Sequence, residues 1–175
     1  MKNEYILLDE NTLEMTVTQG QKTCVDVSDM ALFDENRWNA RKGKSNKFYV
    51  RSTMPTVNGK QKNILLHRVI MGITDPKIEV DHIDGDTLNN RRSNLRIATH
   101  SENQRNQVAY KTSKTGIKNI AWHKREKKYR VQIQTDGKQK TYGSFHTIEE
   151  AIKLRDELLP LLHGEFANTK DKKDN

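Results

Sequence analysis

Apolar positions along the chain recur mostly at every second residue, over short stretches, and at helical spacing in only a few places. That pattern predicts several small sheets joined by short helices. Residues 4–8, Glu-Tyr-Ile-Leu-Leu, and residues 22–27, Lys-Thr-Cys-Val-Asp-Val, read as strands separated by the polar turn Thr18-Gln19-Gly20-Gln21. Ser28-Asp29 is placed to cap a short helix through Met30, Leu32 and Phe33. Trp38 precedes a basic loop over residues 41–47. Residues 48–51 and 63–66 read as the two strands of a hairpin around Asn58-Gly59, a pair that tolerates the positive φ a tight turn needs. His67 to Met71 then predicts a short helix running into Gly72.

The second half repeats the pattern more regularly. Asn94-Leu95-Arg96-Ile97-Ala98 is strand-like, and Thr99-His100-Ser101-Glu102 reads as a capping box that opens a helix. Residues 111–116, Lys-Thr-Ser-Lys-Thr-Gly, are polar and breaker-rich, which predicts a linker. Residues 120–124, 128–134 and 139–143 read as three strands, with Asp136-Gly137 turning between the second and third. Tyr129, Val131 and Ile133 alternate with Arg130, Gln132 and Gln134, so one sheet face is apolar and the other polar and basic. Thr147 and Glu150 form a second capping box. It starts a helix whose Ile148, Ala151, Ile152, Leu158, Leu159 and Leu162 can cover the apolar face, with Pro160 predicting an interruption of the last turn. The tail from Lys170 to Asn175 is expected to be disordered and functionally silent.

Composition sharpens this picture in three ways. With 33% of its 175 residues hydrophobic and 31% charged, the chain is suited to small modules rather than one large core. The net charge of +8 is uneven: residues 1–30 carry 2 basic and 6 acidic side chains, residues 31–110 carry 14 and 8, and residues 111–175 carry 15 and 9. The two later segments are therefore the candidates for contact with a polyanion. The only cysteine, Cys24, excludes a disulfide or a cysteine zinc cluster and is expected to be a small buried residue. No signal peptide or membrane-spanning run is visible, so the expectation is a protein of the cytoplasm, with no membrane partner.

Candidate chemistry concentrates between Glu79 and Asn106, EVDHIDGDTLNNRRSNLRIATHSENQRN. Strand, polar turn, strand and helix follow within about thirty residues, a unit able to hold one metal and one base. Phosphodiester hydrolysis needs a deprotonated water and a cation where charge accumulates. Asp81 and Asn103 are the oxygen donors of choice and His82 the general base, while Arg91, Arg92 and Arg96 can grip phosphate.

The run VDHIDGDTLNNRRSNLR, with the following Thr, Glu-Asn and Asn, resembles the HNH motif of the ββα-metal endonucleases of phages and introns. The resemblance implies that Asp81 binds the metal, that His82 activates water, and that Asn94 braces the loop and orients the histidine. The last motif position is commonly a second histidine. A subgroup uses asparagine, which Asn103 matches, with His100 as the rival ligand. The resemblance implies a divalent cation, Mg2+ first and Mn2+ second, and products with a 5′ phosphate and a 3′ hydroxyl. His67, in LHRVIMG, is expected to be structural rather than catalytic.

The segment from Gly116 to Asn168 resembles the ethylene-response-factor (Apetala-type) DNA-binding domain through its YGSF block, the strand from Tyr129 to Gln134 and the closing GEFAN. It departs from that family in having Tyr129 where tryptophan is frequent. By position on the free sheet face, Trp122, Lys124, Arg125, Arg130, Gln132, Gln134 and Lys140 are the DNA-contact candidates.

The expected fold is α+β: an N-terminal β-rich scaffold over residues 1–63, a ββα-metal unit over 64–110, a linker over 111–116, a three-stranded antiparallel sheet packed on one helix over 117–168, and a tail. The expected function is a metal-dependent endonuclease of homing type acting on double-stranded DNA, as a monomer or a transient dimer, and in the host cytoplasm if phage-encoded. Two readings compete with it: a non-catalytic, sequence-specific DNA-binding regulator with a relic motif, and a nuclease acting on RNA.

Overall fold

The computed structural model describes residues 3–34, 36–43, 46–54, 62–109, 113–135 and 137–171, and these residues form an α+β protein built from small antiparallel sheets. Its contacts divide it into two units, Met1–His100 and Ser101–Asn175.

In the first unit, Tyr5–Leu7 (β1) and Lys22–Asp26 (β3) are strands as expected. Between them lies Thr12–Thr16 (β2), giving the order β1-β2-β3. This strand was not read from the sequence because five residues of mixed polarity carry little signal. Its alternation nevertheless decides the fold, since Leu13, Met15 and Val17 are buried while Glu14 pairs with Lys22 at 2.6 Å. The turn from β2 to β3 passes through Gln19 and Gly20 at φ 63° and 66°.

A 3-10 turn, Val27–Asp29, and a short helix, Met30–Phe33 (α1), follow. Asp29 does not cap the helix as expected; its carboxylate instead takes the guanidinium of Arg92. Asn39–Lys42 (β4), Phe48–Met54 (β5) and Lys62–Leu65 (β6) form a second sheet in that order. Arg41 and Lys42 therefore lie in a strand rather than a loop, because Ala40 is drawn inside opposite Val50. The expected Asn58-Gly59 turn, with Lys44 and Ser45 of the basic loop, lies outside the described residues.

Both sheets pack on one core. Trp38 is fully buried at its centre and donates its indole N–H to the Phe33 carbonyl at 2.8 Å. Burying this ring with its polar handle satisfied is worth several ordinary contacts. Leu66–Ile70 (α2) adds Leu66 and Ile70, one turn apart, to the same core. Glu79–His82 (β7) and Leu95–Ala98 (β8) form a two-stranded hairpin whose Val80 and Leu95 also join it. Cys24 is half-buried rather than fully buried.

The helix His100–Asn106 (α3) begins directly after Thr99. Within the second unit, the Lys118 ammonium donates to the carbonyls of Gln104 and Arg105 at 2.8 and 2.6 Å and to that of Gln107. A cation on the unpaired carbonyls of a helix C-terminus is favourable both as a hydrogen bond and against the helix dipole.

Ile120–His123 (β9), Lys128–Thr135 (β10) and Lys138–Phe145 (β11) form an antiparallel sheet of order β11-β10-β9. Asp136 of the predicted turn and Lys111 and Thr112 of the predicted linker lie outside the described residues. Ile148–His163 (α4) covers the sheet through Ala151 and Leu159 against Ile120, Val131 and Ile133. Gly143 marks the closest approach: a Cβ there would lie 2.7 Å from the Phe145 ring and 3.1 Å from Leu154.

The helix does not stop at Pro160. Proline forfeits its own N–H bond and crowds the carbonyl four residues back, but the last turn is held by buried Leu159 and by His163, whose Nε2 donates to the Gln134 carbonyl at 3.1 Å. Arg155, fully buried in α4, is paired with Asp156 and Asp171.

The capping box at Thr147 forms in both directions, each bond 3.3 Å long. Thr147→Ala is expected to destabilise the second unit by about 1 kcal/mol and Thr147→Ser to leave it nearly unchanged, as read from urea denaturation midpoints.

Candidate active site

Alternation along β7 sends Asp81 and His82 to opposite sides of the hairpin. Asp81 stands directly across from Arg96 in the β7–β8 register, and Oδ2 of its carboxylate accepts from Nε and Nη2 of Arg96 at 2.9 and 2.8 Å. The two side chains are only 6% and 10% exposed, so this is a dry ion pair. Opening it without offering Asp81 another cation would leave a buried charge uncompensated.

His82 points the other way, beside Leu95, and is buried. Its Nε2 lies 3.3 Å from Oδ1 of Asn90. The ring of His67, on α2, meets it edge-on with centroids 5.0 Å apart. Burial lowers the pKa of His82, opposed by the Asn90 contact and by the charges of Asp84, Asp81 and Asp86. His67 is driven down to about 3 by burial, with the charges of His82 and Arg68 acting in the same direction. Two imidazoles in edge-to-face contact are tolerable here because both stay neutral at pH 7. A neutral imidazole has a lone pair to offer, as a general base must.

The loop from Ile83 to Asn94 is fastened throughout. Gly85, at φ 79°, closes a turn by donating its N–H to the His82 carbonyl at 2.9 Å. Asn94 staples the two ends of the loop: its Oδ1 accepts from Asp84 N–H at 3.0 Å, its Nδ2 donates to Asp84 Oδ1 and to the Asn89 carbonyl at 2.9 Å each, and its carbonyl accepts from Ile83 N–H. Burial acts to raise the pKa of Asp84, but hydrogen bonds from Asn89, the Asp86 backbone and Asn94 outweigh it and hold the carboxyl below the usual range.

Asn90 of this loop meets His82 directly, through its side-chain amide oxygen. Asn90 is fully buried and reaches Thr23 of β3. Sequence reading passed over it because an Asn-Asn pair reads as ordinary turn chemistry. The signal was indirect, an asparagine eight residues after the histidine inside an otherwise exposed polar run.

The three arginines have different fates. Arg91 is half-buried, with Nε on Asn89 Oδ1 at 3.1 Å. Arg92 is exposed on one side and grips Asp29 with Nε and Nη2 at 2.7 to 2.9 Å, while its backbone N–H reaches Asp26. Arg96 holds Asp81, so Arg92 and Arg96 reach phosphate only by exchanging a carboxylate for it. His100, the rival ligand, is exposed and pairs through Nδ1 with Glu79 at 2.8 Å. Asn103 is half-buried in the α3 segment of the second unit.

On the second unit's sheet, Arg130 lies opposite Ala121 and Ser144, and Gln132 opposite Thr141, on the face away from Val131 and Ile133; Gln134 alternates to that same face and is exposed. Arg130 is paired with Glu126 at 2.5 Å. Lys124 and Arg125 are exposed in the turn between β9 and β10. Two residues expected on the free face fall elsewhere. Trp122 is the direct partner of Tyr129, its ring 4.7 Å away, and Lys140 is the partner of Ile133, so both lie on the helix side, at its open margin. Pairing, not alternation within one strand, sets the face, and the sequence does not reveal register.

A family model described as HNH endonuclease matches residues 65–105, which is β6 to α3. Protein 3.8 of Escherichia phage T7 is 35% identical over 91 residues, half of this chain and 72% of that protein. The chain belongs to the HNH endonuclease family. An HNH endonuclease of Acanthamoeba polyphaga mimivirus is 34% identical over 107 residues, 58% of this chain and 54% of the relative. The H-N-H endonuclease F-TflI of Escherichia phage T5 is 41% identical over 56 residues, 28% of this chain and 29% of that one. The chain thus spans about half or less of these last two relatives. No solved structure matches it. As an HNH endonuclease the protein is an enzyme, and its matched segment is the one that carries Asp81, His82, Asn94 and Asn103. Among the described residues no helix is long and apolar enough to cross a membrane.

Burial of neutral His67 has a consequence for stability. Its pKa is about 3 when folded against the ordinary histidine value of 6.5, so between these values the unfolded chain binds the extra proton and stability falls as pH falls. The loss is absent above pH 6.5 and reaches on the order of 4 kcal/mol at the acid end. His67→Phe is expected to flatten this acid limb in denaturation curves recorded across the interval. A slope equal to wild type would show that His67 does not carry it.

Proposed function

We propose that this HNH endonuclease hydrolyses phosphodiester bonds in double-stranded DNA with the help of a divalent cation, Mg2+ or Mn2+. The observation that carries the reading is the pairing of a buried, neutral His82 with an adjacent Asp81 at the end of one strand, on a loop braced at both ends. The cation fits the donors at hand. Asp81 already stabilises a positive group, the Arg96 guanidinium, and a hard cation that keeps most of its waters needs few protein oxygens. A site with a fuller protein shell is not favoured, since among the described residues no three His, Cys, Asp or Glu gather as metal ligands. Asp81 holds the cation, and Asn103 is assigned as its second oxygen donor on the resemblance alone.

When bound, the cation supplies charge stabilisation at the scissile phosphate and the leaving 3′ oxygen. His82 accepts the proton of the attacking water. Asn94 holds the loop so that His82 does not drift. Arg91 stands nearest to service as a phosphate contact, and Arg92 and Arg96 join it by exchanging their carboxylates. The products carry a 5′ phosphate and a 3′ hydroxyl. One such unit per chain suits nicking by a monomer, with double-strand cleavage requiring a transient dimer. A homing-type enzyme of a phage or mobile element, working in the host cytoplasm, is the setting that fits the phage and viral relatives.

We also assign the sheet of the second unit to DNA binding, in the manner of the ethylene-response-factor domain that it resembles. What supports this is the three-stranded sheet packed on one helix, with Arg130, Gln132 and Gln134 on the open face and Lys124 and Arg125 exposed beside it. Trp122 and Lys140 contribute from the margin. Phosphate contacts of this kind supply affinity that falls steeply with salt.

Incubation with supercoiled plasmid is expected to give open circles with Mg2+ or Mn2+ and nothing with chelator. His82→Ala is expected to reduce the rate by about 100-fold or more. Intact plasmid under every metal, with duplex DNA still retarded on a gel, would replace this reading with a non-catalytic binding protein. Preference for RNA over duplex DNA in competition would redirect it to RNA. In a separate measurement, joint replacement of Lys124 and Arg125 by alanine is expected to weaken DNA binding and lower the slope of log affinity against log salt by about 2. An unchanged slope would remove this turn from the DNA interface.

A further inference from the structure

A neutral imidazole has two tautomers, and only the nitrogen without a proton can act as a base. The surroundings of His82 select one of them through hydrogen bonds whose directions are forced. The Leu88 carbonyl has no proton to give. The Thr23 hydroxyl, 2.6 Å from it, must therefore donate. With its proton committed, Thr23 Oγ1 faces Asn90 as an acceptor, so the group 2.8 Å away is the amide NH2. The Thr87 carbonyl, 3.5 Å from the same Nδ2, requires the same orientation. The amide oxygen of Asn90 is thereby turned toward His82, 3.3 Å from Nε2. An amide oxygen only accepts, so Nε2 must carry the proton.

The start of this relay is anchored independently of the histidine. Cys24 N–H donates to the Leu88 carbonyl at 3.0 Å, and Asn90 N–H donates to the Cys24 carbonyl at 2.8 Å. Thr23 and Asn90 are 1% and 0% exposed, so water does not compete for their hydrogen bonds. A flipped Asn90 would set its NH2 against His82 and its oxygen against Thr23, stranding the Thr87 carbonyl. Leaving buried polar groups mismatched is costly enough to fix one orientation.

We infer that Thr23 and Asn90 are positioning residues that hold His82 in its Nε2–H tautomer, so that Nδ1 is the atom that takes the proton from water. The inference deepens the assignment of His82 as general base and rests on it. The N-terminal sheet, which lies outside the matched HNH segment, thereby determines which nitrogen does the chemistry.

The test is 15N NMR of the histidine side chains at neutral pH, with His82 assigned by its loss in His82→Ala, alongside steady-state cleavage. Wild type is expected to show the Nε2–H form at His82. Thr23→Val removes the hydroxyl with little change of shape, so Asn90 can flip. A share of the Nδ1–H form is expected to appear, and kcat to fall by about 10-fold with KM nearly unchanged. Thr23→Ser, which restores the hydroxyl, is expected to recover both. The Nδ1–H form in wild type would overturn the inference without either Thr23 variant having to fold. So would a Thr23→Val protein whose tautomer and kcat match wild type. Cleavage by His82→Ala at the wild-type rate would instead remove the base assignment beneath it.

Discussion

Two main-chain hydrogen bonds, from Cys24 N–H to the Leu88 carbonyl and from Asn90 N–H to the Cys24 carbonyl, fasten the 83–94 loop to the N-terminal sheet. Much of the candidate active site depends on that docking. It brings Thr23 under Asn90 and Asn90 beside His82, and it places Arg92 within reach of Asp26 and Asp29. Thr87 adds a bond to the Phe48 carbonyl, and Lys47 one to the Gly85 carbonyl at 2.7 Å. A loop this polar would be mobile by itself, because its own side chains cannot bury an apolar face. Tied at both flanks it becomes rigid enough to orient the His82 ring.

The second constraint is electrostatic. Asp81 and Arg96 are cross-strand partners in a dry environment, and each carries a charge that the interior would otherwise reject. The same carboxylate is the one expected to hold a cation during catalysis. Arg96 thus serves as the counter-charge of Asp81 in this dry environment, with a guanidinium suited to phosphate once the carboxylate has another partner. His67 and His82 solve the opposite problem. They pack ring against ring by both remaining neutral, which burial enforces.

The second unit follows simpler rules. A capped amphipathic helix covers the apolar side of a three-stranded sheet, Gly143 permits the close approach, and His163 and Arg155 tie down the ends. The β-bulge between Val131 and Gln132 lets Tyr142 join the core without changing which side Gln132 faces.

The sequence by itself determined the class of the fold and the identity of the motif. Alternation and turn residues predict most of the strands, the capping box predicts α4, and the run VDHIDGDTLNNRRSNLR resembles the HNH motif. These are local signals, carried by residues close together in the chain. The short β2, the continuation of α4 through Pro160, the partners of Asp29, Arg92 and Arg96, and the sides taken by Trp122 and Lys140 were decided by the tertiary structure. Each depends on strand register or on a residue tens of positions away. The role of Asn90 is the clearest case. Within its own segment it is one more turn asparagine, and it acquires direction only because Thr23, 67 residues earlier, leaves it a single way to face.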